Sequence, residues 1–497
     1  MRKKKICLLL VLMMFACILG VGCKSDYESK FSKDVNNYYL DISVDEQNKT
    51  ATVTQKIDYF NSTGTSLNEI YFHTYPNAFS ETSVNKPVSS VYQDKAYYNG
   101  FSEGKIEISS VKQNNKDIEY SYKDNDKTLL AVKLLNNVDN KKVVSISFEY
   151  SLIIPNINHR FGYGENTINM GNFYLIASVY ENGAFDENGY HYNGDPFYSD
   201  VSNYNVKITH SNDYQCVATG NETNSQISNG KTINSYSALA VRDFCFVLST
   251  KFNKLSDKVG NTTVNYYYYN DTNQDESIKT SCLALSTFND MFGEYPYKEL
   301  NVVESNFVHG GMEFPQLVLI SDDLDTYEDY TETIVHEIAH QWWYGLVGNN
   351  EFDSGYLDEG LAELSTALFF DSNPEYNITY ASMIENAESS YSLFIDVYTD
   401  VFGNVTTTMN RKLNEYKTEP EYVYMAYVKG MLMYDNLRQV MGDKKFSKAL
   451  KYYFETNKGT NVKLEDMIKC FNKIAKTDLS GFFDSWVKGK VVIEKHK

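Results

Sequence analysis

Up to about residue 255, apolar and polar side chains alternate in short runs. Residues 51–57 (ATVTQKI), 143–150 (VVSISFEY) and 204–210 (YNVKITH) each put one apolar set on a single face, the two-residue period of a half-buried strand. Asn, Gly and Asp clusters separate these runs, and no long 3.6-residue period appears among them. That texture predicts a sandwich-like sheet domain. It changes near residue 260. Residues 261–269 still read as a strand, residues 272–292 take helical spacing, and residues 301–307 and 315–321 read as short strands flanking a Gly310-Gly311 turn. From about residue 325 the spacing is mainly helical, with long helices expected over 327–347, 357–370, 423–440 and 444–455. The pattern predicts two domains: an all-β unit over 23–255, then a mainly helical α+β unit over 256–497.

The first 22 residues stand apart from both. Residues 2–5 (RKKK) are basic, and residues 6–21 form an apolar run of 16, suited to an export signal and short for a membrane span of about 20 residues. The string Leu19-Gly20-Val21-Gly22-Cys23, followed by Lys24-Ser25-Asp26, resembles a bacterial lipobox with Cys23 as the lipid-bearing residue. An ordinary cleaved signal and an uncleaved anchor are the alternatives. All three export the protein, and the lipoprotein reading places it on the outer face of a bacterial membrane.

Composition narrows the partners. The 497 residues are 42% apolar, enough for a sizeable core, and the net charge is −19. The leader holds four of the 46 cations and none of the 65 acids, so removing it leaves −23. A surface this acidic repels phosphate, which argues against nucleic acid as a partner. Cys216, Cys245, Cys282 and Cys470 are widely spaced with no CxxC pair, so no cysteine metal site is expected. A Cys216–Cys245 disulfide and isolated buried thiols both remain open.

The chemistry concentrates in Thr333-Ile-Val-His336-Glu337-Ile-Ala-His340. On a helix, His336 and His340 are one turn apart on one face, close enough for both rings to reach one ion at about 2 Å. Glu337 sits beside His336, where it can take a proton from a metal-bound water. A catalytic zinc usually takes three protein ligands. Glu359, 19 residues past His340 on the next expected helix, supplies the third. A turn-rich stretch over 348–355 lets that helix fold back. One Zn²⁺ per chain is therefore expected. Glu363, one turn beyond Glu359, either supports the site or is a solvated helix acid. Of Trp342 and Trp343, one is expected in the core and one in the cleft.

These residues resemble the aminopeptidase N type of gluzincin peptidase, which carries HExxH, eighteen residues and then Glu in an NEG stretch. Here Asp358 stands in place of the Asn. Gly310-Gly311-Met312-Glu313-Phe314 resembles the family's GxMEN motif, with Phe314 in place of Asn, and Ala426-Tyr427-Val428-Lys429-Gly430 resembles YEKG. The stretches 195–209, 217–220 and 479–489 are also similar. The resemblance implies an N-terminal saddle-like β-sandwich and a thermolysin-like catalytic domain, in a short form without the C-terminal helical domain. It implies that Glu313 binds the substrate's α-amine, that Gly310, Gly311 and Met312 lie along the peptide backbone, and that Tyr427 donates to the oxyanion. A glutamine that helps hold the amine in some relatives has no assigned counterpart. Tyr422 is a weaker candidate for lining the pocket, and His309 is supporting or incidental.

The function expected is an exported zinc aminopeptidase acting on peptides with a free N-terminus. A zinc endopeptidase, in which Glu313 does not hold the amine, and a non-catalytic peptide-binding surface lipoprotein are the alternatives.

Overall fold

The computed structural model describes residues 25–493. The expected signal at 1–22 and the expected lipidation site Cys23 lie outside the described residues.

The N-terminal half is built on an eight-stranded sheet in the order Asn221–Ser228, Lys231–Val241, Ser202–Ser211, Asn36–Asp45, Thr50–Phe60, Val143–Ile153, Lys105–Gln113, Lys116–Asp117. The alternation read from the sequence sets its faces: along Thr50–Phe60 the buried positions are Ala51, Val53, Gln55, Ile57 and Tyr59. Gln55 is tolerated there because its amide donates to the Leu175 carbonyl at 2.7 Å and accepts from Tyr150 Oη at 2.8 Å, and a buried polar group is costly only when unpaired. Two four-stranded sheets carry further apolar faces into the same core. Phe72 of one meets Phe148 of the large sheet edge to face at 5.1 Å.

The second half opens with the strand Asn253–Val259. Its five-stranded sheet runs Asn253–Val259, Thr262–Tyr268, Glu299–Ser305, Leu317–Ser321, Gly311–Met312. The helix Gln274–Met291 falls where helical spacing first appeared. The two-residue strand Gly311–Met312 is the sheet's edge and pairs antiparallel with Leu317–Ser321. The helix Tyr327–Ala339 packs beside it, Glu359–Ser372 packs on that helix, and Lys429–Met441 packs on Glu359–Ser372.

Several expectations need correction. The helix expected to reach residue 347 ends at Ala339. The turn that follows carries both indoles into the core, so neither Trp342 nor Trp343 lines the cleft. Trp342 Nε1 donates to the Gly293 carbonyl and Trp343 Nε1 to Ser365 Oγ. The long helix Tyr380–Phe402 has no counterpart among the helices read from the sequence. Its outer face carries exposed Leu393, Val397 and Val401, which blur the one-sided apolar stripe that marks a surface helix. Cys216 and Cys245 are free thiols. The sheet register pairs Cys216 with Leu248, three residues beyond Cys245. That is roughly 10 Å along a strand, too far for a disulfide.

The two halves meet through buried polar bonds. Arg242, at the end of the strand Lys231–Val241, donates from Nε to the Tyr344 carbonyl at 2.8 Å and from Nη2 to the Thr460 carbonyl at 2.6 Å. Its Nη1 donates to the Ser199 carbonyl at 3.0 Å and also to Asn461 Oδ1. A Cβ on Gly348 would fall on this guanidinium. Arg242→Ala strands several acceptors, at about 1–3 kcal/mol for each one left buried. The expected result is a melting midpoint lowered by several degrees for Arg242→Ala and for Gly348→Ala. The double variant should lose less than the sum, because removing the guanidinium clears the space the new methyl needs. Strict additivity in thermal melts would refute this packing.

Candidate zinc-centred active site

The helix Tyr327–Ala339 starts with a capping box between Thr326 and Asp329 and buries Ile334, Val335, Ile338 and Ala339. Burial of that apolar face turns His336 and His340 toward the cleft. After the turn at 340–347, the short helix Glu351–Ser354 and one 3₁₀ turn lead to the helix whose first residue is Glu359. Three donor atoms converge: His336 Nε2 and His340 Nε2 are 3.1 Å apart, and Glu359 Oε2 lies 3.4 and 3.2 Å from them. Among the described residues this is the one group of three or more His, Cys, Asp or Glu arranged to hold a metal.

The triangle fits the ion. Donors about 2.0–2.1 Å from a tetrahedral zinc are separated by roughly 3.3 Å. The tautomers fit as well. His340 Nδ1 lies 2.8 Å from the Trp343 carbonyl, which can only accept. His336 Nδ1 lies 3.3 Å from Glu363 Oε1. Each ring therefore keeps its proton on Nδ1 and turns an unprotonated Nε2 to the ion, the usual outer support of a zinc histidine. Glu363 is thus a supporting residue rather than a solvated acid. The His-His-Glu set is a site for one Zn²⁺.

Glu337 and Glu313 face the same space. Both are buried, and one oxygen of each has no partner. Burial raises the Glu337 carboxyl to about 7 against the opposing pull of His336 and His340. Burial, with Asp195 adding to it, holds Glu313 well above the usual carboxylate range. Glu359 goes the other way: burial is outweighed by His340 and His336, and it is held at about 2. A Cβ on Gly311 would land on the Glu337 carboxyl, so the glycine is what lets the edge strand lie against that carboxylate. Gly310 has φ +34 with nothing within 4 Å of a notional Cβ, and Met312 is buried beneath the strand. Phe314 is buried and fills the space beside Gly171.

Tyr427 lies in a π-helical turn, Tyr424–Val428, between the helices Glu419–Val423 and Lys429–Met441. Such wide turns often re-aim a functional side chain. Its hydroxyl donates to Glu359 Oε1 at 2.5 Å, the carboxylate oxygen not turned to the histidines. Gly360 and Gly430 make this contact possible: a Cβ on Gly360 would meet the Gly430 backbone at 2.8 Å, so only glycine at both lets the helices approach so closely. Lys429 is buried and donates to the Thr407 and Trp486 carbonyls, tying the C-terminal segment to this helix. Tyr422 does line the cleft, and no partner satisfies its hydroxyl.

The fold is that of M1 zinc metallopeptidases, with a β-rich N-terminal domain and a helical catalytic domain. Residues 277–486 match the peptidase family M1 domain. The M1 match contains every metal and catalytic candidate named above. Aminopeptidase N of Lactobacillus helveticus is 29% identical over 156 residues, which are 31% of this chain and 18% of that protein. Aminopeptidase M1-D of Oryza sativa subsp. japonica is 23% identical over 253 residues, 46% of this chain and 27% of that one. The chain thus spans about a fifth to a quarter of the length of these curated relatives. The crystal structure of the M1 zinc metallopeptidase from Deinococcus radiodurans superposes with a TM-score of 0.64 at 15% identity, covering 93% of this chain and 96% of that one. A mutant of it bound to a Tyr-Ser-Ala substrate matches equally well.

The cleft, about 360 Å³, also contains residues not singled out in the sequence. No glutamine lines it among the described residues. The N-terminal half instead supplies Arg160, paired with Asp195, and Tyr190. Glu419 and His309 close another wall. One signal in the sequence pointed to Arg160: the chain has only five arginines among its 46 cations, and arginine is favoured where a forked donor must be held rigid.

The purified protein is expected to hold one equivalent of zinc by elemental analysis. His336→Ala, His340→Ala or Glu359→Ala should weaken zinc binding by more than about tenfold, and Glu363→Ala by about tenfold. Glu337→Gln should retain full stoichiometry. Full zinc in the His340→Ala protein would disprove the ligand assignment.

Proposed function

We propose that the protein is an exported zinc aminopeptidase that removes residues from peptides with a free N-terminus. One observation carries the reading: Glu313, buried and with an oxygen free of partners, shares the cleft with the metal triad and with Glu337 and Tyr427. A zinc ion in the triad would polarise the scissile carbonyl and lower the pKa of a coordinated water. The remaining work belongs to side chains. Glu313 pairs with the substrate's ammonium, so the bond placed for attack is the first one of the chain. The Gly311–Met312 edge offers backbone groups to an extended peptide, as an added strand. Glu337 takes the proton from the attacking water and delivers it to the leaving amine. Tyr427 turns its hydroxyl from Glu359 to the developing oxyanion, a donor already in place before the charge forms. The tripeptide named for the Deinococcus mutant is a substrate of this class.

Free and N-acetylated versions of one peptide, with and without a chelator, test the reading. Only the free peptide should be cut, one residue at a time, and the chelator should stop cleavage. Equal cleavage of both peptides would mean an endopeptidase instead. Glu337→Gln should bind zinc yet lose at least about 10²-fold in kcat; retained turnover would exclude it as the base.

Export rests on the basic and apolar leader and on Cys23. The lipid-bearing residue would anchor the enzyme to the outer face of the membrane. In a bacterial host, a fatty-acid label should enter the wild-type protein and be absent from Cys23→Ala, which should leave the membrane fraction. Equal labelling of both would rule out Cys23 as the acceptor.

A further inference from the structure

Beside the amine-binding Glu313, the cleft continues into a pocket that neither the metal chemistry nor the backbone contacts use. His309 stands directly before the Gly310-Gly311 turn and forms its inner wall. His309 Nδ1 lies 3.4 Å from Glu419 Oε1. The ring packs edge to face on Tyr92 at 4.8 Å and on His159 at 5.5 Å. Tyr190 completes the pocket, its hydroxyl pinned to the Pro87 carbonyl at 3.0 Å.

The charge in this pocket is unbalanced. Glu419 is only 8% exposed, and its Oε2 has no hydrogen-bond partner. It is fixed at the start of the helix Glu419–Val423, between the Thr418 cap and Pro420. His159 is buried and its ring nitrogens have no partner; burial, with Arg160 adding to it, holds its pKa well below the usual histidine value. It therefore brings no positive charge. Arg160 is spoken for by Asp195. Elsewhere the walls add Asp329, Glu332 and Glu363. A buried carboxylate with a missing partner is costly unless a cation meets it. Aromatic walls suit the stem of a long basic side chain and stabilise its charge.

We propose that this pocket receives the side chain of the substrate's N-terminal residue and selects lysine or arginine, with Glu419 as the specificity-determining residue. The inference rests on the aminopeptidase reading and names its substrate class. The ammonium or guanidinium takes up the carboxylate that His309 satisfies at one oxygen only, while the α-amine goes to Glu313. Two cations on one residue thus meet two separate carboxylates. A neutral N-terminal residue of the same length leaves Glu419 unpaired.

The test compares fluorogenic amides of lysine, arginine, norleucine, phenylalanine and alanine on the zinc-loaded enzyme. Norleucine matches lysine without the ammonium. The expected kcat/KM for lysine exceeds that for norleucine by about tenfold or more, the worth of one charge-assisted hydrogen bond. Glu419→Gln should collapse the lysine-to-norleucine ratio toward one. A purely structural role for Glu419 would lower both substrates together and leave the ratio intact, which would overturn the proposal. A wild-type ratio of one or below, or a preference for phenylalanine, would overturn it without any variant. Turnover of norleucine or alanine amides with no preference for lysine would leave the aminopeptidase standing and remove only the pocket assignment. Turnover of no free-amine substrate would overturn both.

Discussion

The cleft exists because two independently patterned halves are held at a fixed distance, and Arg242 sets much of that distance. Its guanidinium leaves the β half and donates across the seam to the Tyr344 and Thr460 carbonyls of the catalytic half. Ser199, in the β half, accepts from the same group. A planar fork of donors can satisfy several fixed acceptors at once, which a lysine cannot. Asn193 reinforces the seam by donating to the Leu413 and Tyr416 carbonyls. The next residues, Gly194 and Asp195, then line the same cleft as the metal triad. Small changes in the seam would move Arg160, Asp195 and Tyr190 relative to Glu313.

Within the catalytic half, glycine does the work of bringing charged groups together. Gly311 yields its Cβ space to the Glu337 carboxyl, and Gly360 with Gly430 lets two helices touch backbone to backbone. The motifs around Glu359 and Tyr427 therefore read as chemistry next to a close approach. Without the approach, Tyr427 would not reach Glu359 at hydrogen-bond distance. The result is a cluster of buried carboxylates, imidazoles and one phenol whose charges are meaningful only as a set, since each group's proton affinity is moved by its neighbours.

Much of this was legible in the chain. The i, i+4 histidines report their common face because a helix has a fixed pitch. The period-two runs report the strands because one sheet face is buried. The misplaced features have physical causes of their own. The zinc helix breaks at Ala339 although residues 340–347 keep helical spacing, because both indoles find better burial by turning inward. The outer face of Tyr380–Phe402 is apolar enough to hide its period. Arginine is the signal that was there to use: Arg160, Arg242, Arg411 and Arg438 each hold a defined partner, and two of the four shape the seam or the cleft.

Sequence by itself pointed to the His336, His340 and Glu359 set, to Glu337 beside it and to a β-rich half before a helical one, because each follows from local spacing and residue chemistry. Tertiary structure alone decided which oxygen of Glu359 meets the tyrosine, that Glu363 orients His336, and that Cys216 and Cys245 lie too far apart to bond. It also decided that Glu419, His309, Tyr92 and His159 form one pocket, although they are scattered over more than 300 residues of chain. Those relations depend on how separate elements pack. Packing is set by the shapes and burial of many side chains at once, and no local period records it.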